Sequence, residues 1–230
     1  MKRSVVKFIP ESYRWLNKIL RVEKMNRKEI ETEARKLFIL ESAEELFLKQ
    51  GYYLTTMNEI AEKSEFSKPT IYKYFLSKED IAKHLHLKFL VGRINFFLEA
   101  MLNKKTPYER LFAFGMSYYD YAEKHLEEFR FQLIWDSFPI ENQNISEKVY
   151  NEIAEHNERI GNVIKNEMKK LLPDDKPYEE FDLHHTMVPF YASLRMMISH
   201  SLFGCSRENV KDGKLFYTNF LKLFLRGISK

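Results

Sequence analysis

TTMNEIAEKSEFSKPTIYKYFLSK, residues 55–78, reads as two short helices joined by a tight turn. A hydroxyl of Thr55 or Thr56 can accept one of the backbone N–H groups that a helix start leaves unpaired. Glu59 lies three residues beyond Thr56, the spacing of a capping box. Ile60 and Ala61 give the first helix an apolar face. Ser67 caps the second helix, and Pro69 falls in its first turn, where a missing N–H costs nothing. Ile71 and Phe75 are four residues apart and share the inward face. Lys68, Thr70, Tyr72, Lys73 and Tyr74 are then left wholly or partly outward. A thin buried seam under Lys, Thr and Tyr suits a DNA major groove. Lys neutralises phosphate, Tyr and Thr hydrogen-bond phosphates or base edges, and the Thr methyl can touch thymine. On this reading Lys73 carries base readout, while Thr56, Tyr74 and Lys78 hold phosphates. Lys78 stands at the next helix start, where backbone N–H groups also favour an anion.

The stretch resembles the DNA-binding domain of the tetracycline-repressor (TetR) family of bacterial transcription regulators. The resemblance covers roughly residues 30–85. It rests on Gly51-Tyr52, Thr55-Thr56, Ile60-Ala61, Ser67-Lys68, Thr70-Ile71-Tyr72, Tyr74-Phe75 and Ser77-Lys78-Glu79, in that order. It implies a homodimer that binds a palindromic double-stranded DNA operator and releases it when a small molecule binds. It assigns DNA contact to Thr56, Ser67, Lys68, Pro69, Thr70, Tyr72, Lys73, Tyr74 and Lys78. One position departs from the family: Glu65 stands in the turn, where Gly or Ala is usual. Glycine tolerates a positive φ and Glu does not. Either the turn is strained or Ser64 and Glu65 take another geometry.

The chain of 230 residues is 44% hydrophobic and 30% charged, a globular composition. Its 19 Phe and 13 Tyr against only 7 Gly and 7 Pro favour long helices over a turn-rich β fold. A net charge of +4 does not by itself mark a nucleic-acid binder. Residues 1–28, however, hold nine basic residues against two acidic ones. This basic N-terminal extension contains an apolar stripe of Trp15, Ile19 and Val22. It reads as a packing helix, a DNA-contacting arm or a surface membrane helix, and Met25 is an alternative start. Cys205 is the lone cysteine, as expected for a reducing cytoplasm. No apolar run approaches the ~20 residues of a membrane span, and no secretory leader is expected.

The expected organisation is all-α. A three-helix helix-turn-helix domain occupies residues 29–85, and a helical ligand-binding and dimerisation domain occupies 86–230. The first helix, 29–50, places Ile30, Ala34, Leu37, Phe38, Ala43, Leu46 and Phe47 near one face, with Gly51 as its cap. Further helices are expected at 78–103, 107–124, 128–138, 145–172, 179–203 (with Pro189 inside) and 208–227. In the family the last two helices pair with their copies in a second subunit. Phe216, Phe220, Leu223 and Phe224 are the candidate dimer face, because both helices are apolar beyond what one internal face requires.

The aromatic residues of the body are core or pocket. As a pocket they suit a small lipophilic ligand. Phe114, Tyr118, Phe131, Trp135, Tyr191 and Arg195 are the expected wall, set between the long helix and helices 107–124, 128–138 and 179–203. Arg195 is the one cation placed in it, with Arg93 behind. That composition suits an amphipathic anion, and Asp120 and Asp136 are the alternative partners of Arg195. No metal site or cofactor is expected: His84 and His86, two apart, point to different helix faces, as do His184 and His185. No Gly-rich phosphate loop or nucleophile elbow appears, so an enzyme is the least favoured class. The competing class is an architectural or division-control DNA-binding protein with a protein partner. A closed apolar pocket would argue against it.

Overall fold

The computed structural model describes residues 26–137, 144–172, 183–203 and 212–229. Residues 1–25 of the basic extension, the connection after residue 172 and the first residues of the helix expected at 179–203 lie outside these residues. Among the described residues the regular elements are all helices: α1 (Arg27–Gln50), α2 (Met57–Lys63), α3 (Lys68–Ile71), α4 (Lys78–Leu102), α5 (Pro107–Lys124), α6 (Leu126–Ser137), α7 (Glu147–Leu171), α8 (Leu183–Phe203) and α9 (Gly213–Ile228). The chain divides into two compact units, a head up to Leu85 and a body from His86.

In the head, α1 begins at a capping box in which Asn26 Oδ1 accepts from the N–H groups of Lys28 and Glu29, both at 3.0 Å. Its inward face differs from the expected one. Leu37, Ile39, Leu40, Ala43 and Phe47 are buried, whereas Phe38 is 62% exposed and Ala34 is also exposed. Residues 37, 40, 43 and 47 recur every three to four positions and make one stripe; Phe38 is a single step, about 100°, off it. Gly51 ends the helix at φ 88, a backbone region open to glycine.

In the body α5 is the central helix, packing against α6, α7, α8 and α9. It can do so because apolar residues surround it. Leu111, Phe114, Tyr118 and Tyr121 make the expected stripe, and Gly115, Tyr119 and Ala122 make a second one. The second stripe receives α9. Tyr217 is fully buried and donates to the carbonyl of Gly115 at 2.7 Å, and Leu221 packs over that glycine. Helix α7 is tied to α5 by Arg110, whose Nε donates to Glu167 at 2.8 Å. Burial pushes the Glu167 carboxyl up, but Lys170 and Arg110 pull it further down, and it ends below the ordinary range.

Candidate functional site

The helix-turn-helix is assembled by local caps over a small apolar seam. Thr56 is the N-cap of α2. Its Oγ1 accepts from the Glu59 N–H at 3.3 Å, while Glu59 Oε2 accepts from the Thr56 N–H at 2.7 Å and the Thr56 hydroxyl at 2.9 Å. These bonds, with one from Gln50, hold the Glu59 carboxyl below its usual value, the Gln50 amide being the largest cause. Ser67 caps α3 by accepting from the Thr70 N–H at 3.3 Å, and its hydroxyl lies 2.8 Å from that of Thr70. Ile60, Ile71 and Phe75 are at most 1% exposed. Burying each such side chain is worth about 1.5–3 kcal/mol, enough to seat an element of only four helical residues.

That element is short, but its backbone stays coiled beyond Ile71. The N–H groups of Lys73, Tyr74 and Phe75 donate to the carbonyls of Thr70, Ile71 and Ile71. Lys68, Pro69, Tyr72 and Lys73 are exposed on the outer side, and Thr70 is half-buried. Tyr74 is also half-buried, with its hydroxyl against Arg35 of α1.

Lys78 has acquired a role that its position in the chain did not signal. Its ammonium donates to the carbonyls of Tyr52 at 3.0 Å and Thr55 at 2.8 Å, and it sits 4.2 Å from the centroid of the Tyr52 ring. It therefore clamps the loop between α1 and α2 to the start of α4, whereas the sequence reading gave it to a DNA phosphate. Beside it the Tyr52 hydroxyl donates to Glu79 at 2.6 Å. The turn between α2 and α3 takes the strained alternative: Glu65 has φ 57, the only positive φ on a non-glycine residue among those described.

The body holds a cavity of about 550 Å³. Helix α4 contributes Leu90, Arg93, Ile94 and Phe97; α5 contributes Tyr118; α7 contributes residues from Asn157 to Lys165; and α8 contributes Tyr191, Ala192 and Arg195. Tyr118, Tyr191 and Arg195 are residues the sequence singled out. Phe114, Phe131 and Trp135 are not among the lining residues. Phe114 is fully buried behind the wall, edge-on to Phe97 and Tyr191, and Phe131 packs between Phe89 and Trp135. Among the described residues helix α6 contributes none to the wall, and α7, which was not expected there, supplies much of it. Arg195 is not the one cation either, since Arg93 and Lys165 line the same space. Asp120 lies away from this cavity and pairs with Lys214 at 2.7 Å; the Asp136 side chain is outside the described residues.

On α9 the buried residues are Tyr217, Leu221 and Leu225. Phe216 (48% exposed) and Leu223 (71%) point away from them, as does Met196 of α8 (71%). Phe220 and Phe224 are intermediate. They pack against the body's own core, with Phe224 stacked on Phe190 at 4.7 Å between ring centroids. Only part of Phe220 and Phe224 is thus left exposed, whereas Phe216 and Leu223 of the expected dimer face are open in the single chain. Among the described residues no cluster of three or more His, Cys, Asp or Glu could hold a metal ion, and no helix is long and apolar enough to cross a membrane.

Head and body together define a helix-turn-helix protein with an all-helical second domain. Residues 39–85 match the family model of bacterial regulatory proteins of the tetR family. Among curated relatives, the chain is 38% identical over 53 residues to YfiR of Bacillus subtilis, an uncharacterized HTH-type transcriptional regulator. It is 26% identical over 92 residues to FasR of Mycolicibacterium smegmatis, named an HTH-type transcriptional activator. These matches span 23% and 40% of this chain, and only 26% and 42% of the relatives' own lengths. The fold likeness is longer. A crystal structure of a tetR-family regulatory protein from Rhodococcus RHA1 superimposes with a TM-score of 0.60, covering 85% of this chain and 97% of that one at 18% identity.

Proposed function

We propose that this protein is a TetR-type transcriptional regulator. On this reading it binds a palindromic DNA operator as a homodimer and releases it when a small molecule enters the body cavity. The observation that carries the reading is the outer side of α3 and its following turn. Lys68, Pro69, Tyr72 and Lys73 stand exposed together over the buried pair Ile71 and Phe75. A two-fold dimer reads two half-sites about 34–36 Å apart, or multiples of that. The exposed Phe216, Leu223 and Met196 support pairing through the outer faces of α8 and α9, because apolar area of that kind usually marks an interface. Helix α4 supplies Arg93, Ile94 and Phe97 to the cavity and Lys78 to the head. A ligand can act only through its differential affinity for two states, and α4 is the element through which we place that difference. The cavity favours a small-molecule effector over a purely architectural role.

Selection of bound duplexes from a random pool tests this reading. A palindromic consensus with half-sites spaced by one turn is expected. In our assignment Lys73 reads a base, so Lys73→Ala relaxes preference at one position of each half-site by about 1–3 kcal/mol. Recovery of no consensus, or a Lys73→Ala consensus identical to wild type, contradicts the assignment. A transcript measurement on the selected operator distinguishes repression, which we propose, from activation.

A further inference from the structure

We infer that the Tyr191 hydroxyl is the polar anchor of the body cavity, and that the effector is an apolar molecule carrying an oxygen that accepts its hydrogen bond. This deepens the ligand-responsive reading above and rests on it. Four observations carry it. Tyr191 lines the cavity from α8. Its hydroxyl oxygen is sealed from water and has no hydrogen-bond partner among the described residues. The ring that carries it stands edge-on to Phe114 at 5.7 Å between centroids and 6.1 Å from Phe190, and both phenylalanines are at most 1% exposed, so the ring is held in place. The hydroxyl is under the electrostatic influence of Tyr118 on α5 and Arg93 on α4, which line the same space. Burial pushes the phenol well above its ordinary value, so it keeps its proton and remains a donor.

A buried hydroxyl without a partner costs free energy, and folded proteins leave few of them. Other tyrosines of this body are paired. Tyr217 donates to the Gly115 carbonyl at 2.7 Å, Tyr121 donates to Glu128 at 2.8 Å, and the Tyr119 hydroxyl lies 3.0 Å from that of Ser201. Those three lie away from the cavity, and Tyr191 lies on it. Across the same space the side chains of Leu90, Ile94 and Phe97 are apolar and at most 3% exposed, and they supply no acceptor. A wholly apolar ligand leaves the hydroxyl unpaired, whereas a carbonyl, ether or carboxylate oxygen pairs it. Because the hydroxyl is sealed, such an oxygen reaches it only when side chains of the wall part. The ligand-bound wall then differs from the ligand-free one. That difference gives the ligand the unequal affinity for two states on which release of DNA depends. The volume of about 550 Å³ falls within the usual range for small-molecule sites.

Naphthalene, 2-acetonaphthone and 2-naphthoate share one ring system and carry, in turn, no oxygen, a neutral acceptor and a charged acceptor. Their binding to the full-length protein and to its Tyr191→Phe variant is measured by calorimetry, and release of the selected duplex is followed in parallel. At least one oxygenated probe is expected to bind about fivefold or more tighter than naphthalene. Tyr191→Phe, which keeps the ring, should abolish that preference and leave naphthalene unchanged. The stronger oxygenated probe shows whether the acceptor is neutral or charged. The infrared carbonyl band of bound 2-acetonaphthone should lie lower in wild type than in Tyr191→Phe, a shift that a packing role of the ring would not produce. Without ligand, Tyr191→Phe should leave the urea midpoint unchanged or raised, because it removes an unpaired buried hydroxyl. A lowered midpoint means that the hydroxyl already has a partner, and overturns the inference. Equal binding of the three probes, binding of none, or a preference that survives Tyr191→Phe also overturns it, while leaving duplex binding intact. Probes that bind as expected yet never release duplex support the site and overturn the ligand-responsive reading.

Discussion

Replacing Glu65 by glycine should stabilise the protein. The three N–H groups that follow α2 show why. Ser64 donates to Ile60 at 3.0 Å, Glu65 to Glu62 at 3.2 Å, and Phe66 to Ala61 at 3.1 Å. The last two are the paired bonds of a Schellman motif, whose C′ residue must take the left-handed conformation. Glu65 occupies that position at φ 57 and is exposed, so its side chain packs nothing that glycine would lose. A side chain with Cβ in this region costs about 1–2 kcal/mol. Glycine removes that cost but gives back about 0.5–1 kcal/mol through the greater freedom of the unfolded chain. The net expectation for Glu65→Gly is a gain of about 0.5–1 kcal/mol, which for a chain of this size raises Tm by roughly 1–4 °C. Glu65→Ala is the matched control. It removes the same charge but keeps Cβ, so it should gain little. Urea melts of the two variants at one pH make the comparison. If Glu65→Gly is no more stable than Glu65→Ala, the strain assigned to this turn is absent.

Three further outcomes are expected. Gly115→Ala should cost about 1 kcal/mol or more in a urea melt despite alanine's higher helix propensity, because the new Cβ would lie 2.8 Å from Cδ1 of the fully buried Leu221. Phe216→Glu combined with Leu223→Glu should leave a folded monomer in light scattering, since both residues are exposed in the single chain; a surviving dimer would remove the interface from this face of α9. The carboxylate part of the stability should be fully present at pH 7 and fall away below the ordinary Glu value of 4.5, while His156, whose imidazole burial pushes below its usual 6.5, should already cost some stability as pH falls through that value. Burial pushes Glu79 up, but the Tyr52 hydroxyl, its own N–H, Ser77 and Lys78 together bring it below that value, and Glu167 is lowered likewise. A group lowered on folding contributes above its unfolded value and loses that contribution as pH drops through the folded one, so Glu79→Gln should flatten the acid limb of a pH series of urea midpoints.

What was legible in the sequence, and what was not, follows the range of the forces involved. The caps at Thr56 and Ser67 and the seam of Ile60, Ile71 and Phe75 depend on partners a few residues away, so spacing alone identifies them. The all-helical class was legible for the same reason. Lys78 was misplaced because its acceptors are carbonyls 23 and 26 residues earlier, and a carbonyl's direction leaves no mark on residue type. The cavity wall was half legible. Helix α7 repeats apolar residues at Ile153, Ile160, Ile164 and Met168, but Asn157 interrupts the stripe and Gly161 lies beside it. A polar or small residue where a core helix calls for an apolar one marks a place where the facing surface is not packed. That signal was present and unread. For α9 the signal was ambiguous, because Phe216, Phe220, Leu223 and Phe224 offer apolar positions beside the stripe of Tyr217, Leu221 and Leu225. The larger residues, Phe216, Phe220 and Phe224, drew attention to the first set. The direction is fixed by the burial of Tyr217, Leu221 and Leu225, with the Tyr217 hydroxyl on the Gly115 carbonyl and Lys214 paired to Asp120. A glycine 102 residues upstream thus lets α9 seat on α5, and Phe216 and Leu223 are left outward as a consequence. The candidate dimer face is therefore what remains after the body has packed, which is why it could be suspected from composition but located only from the fold.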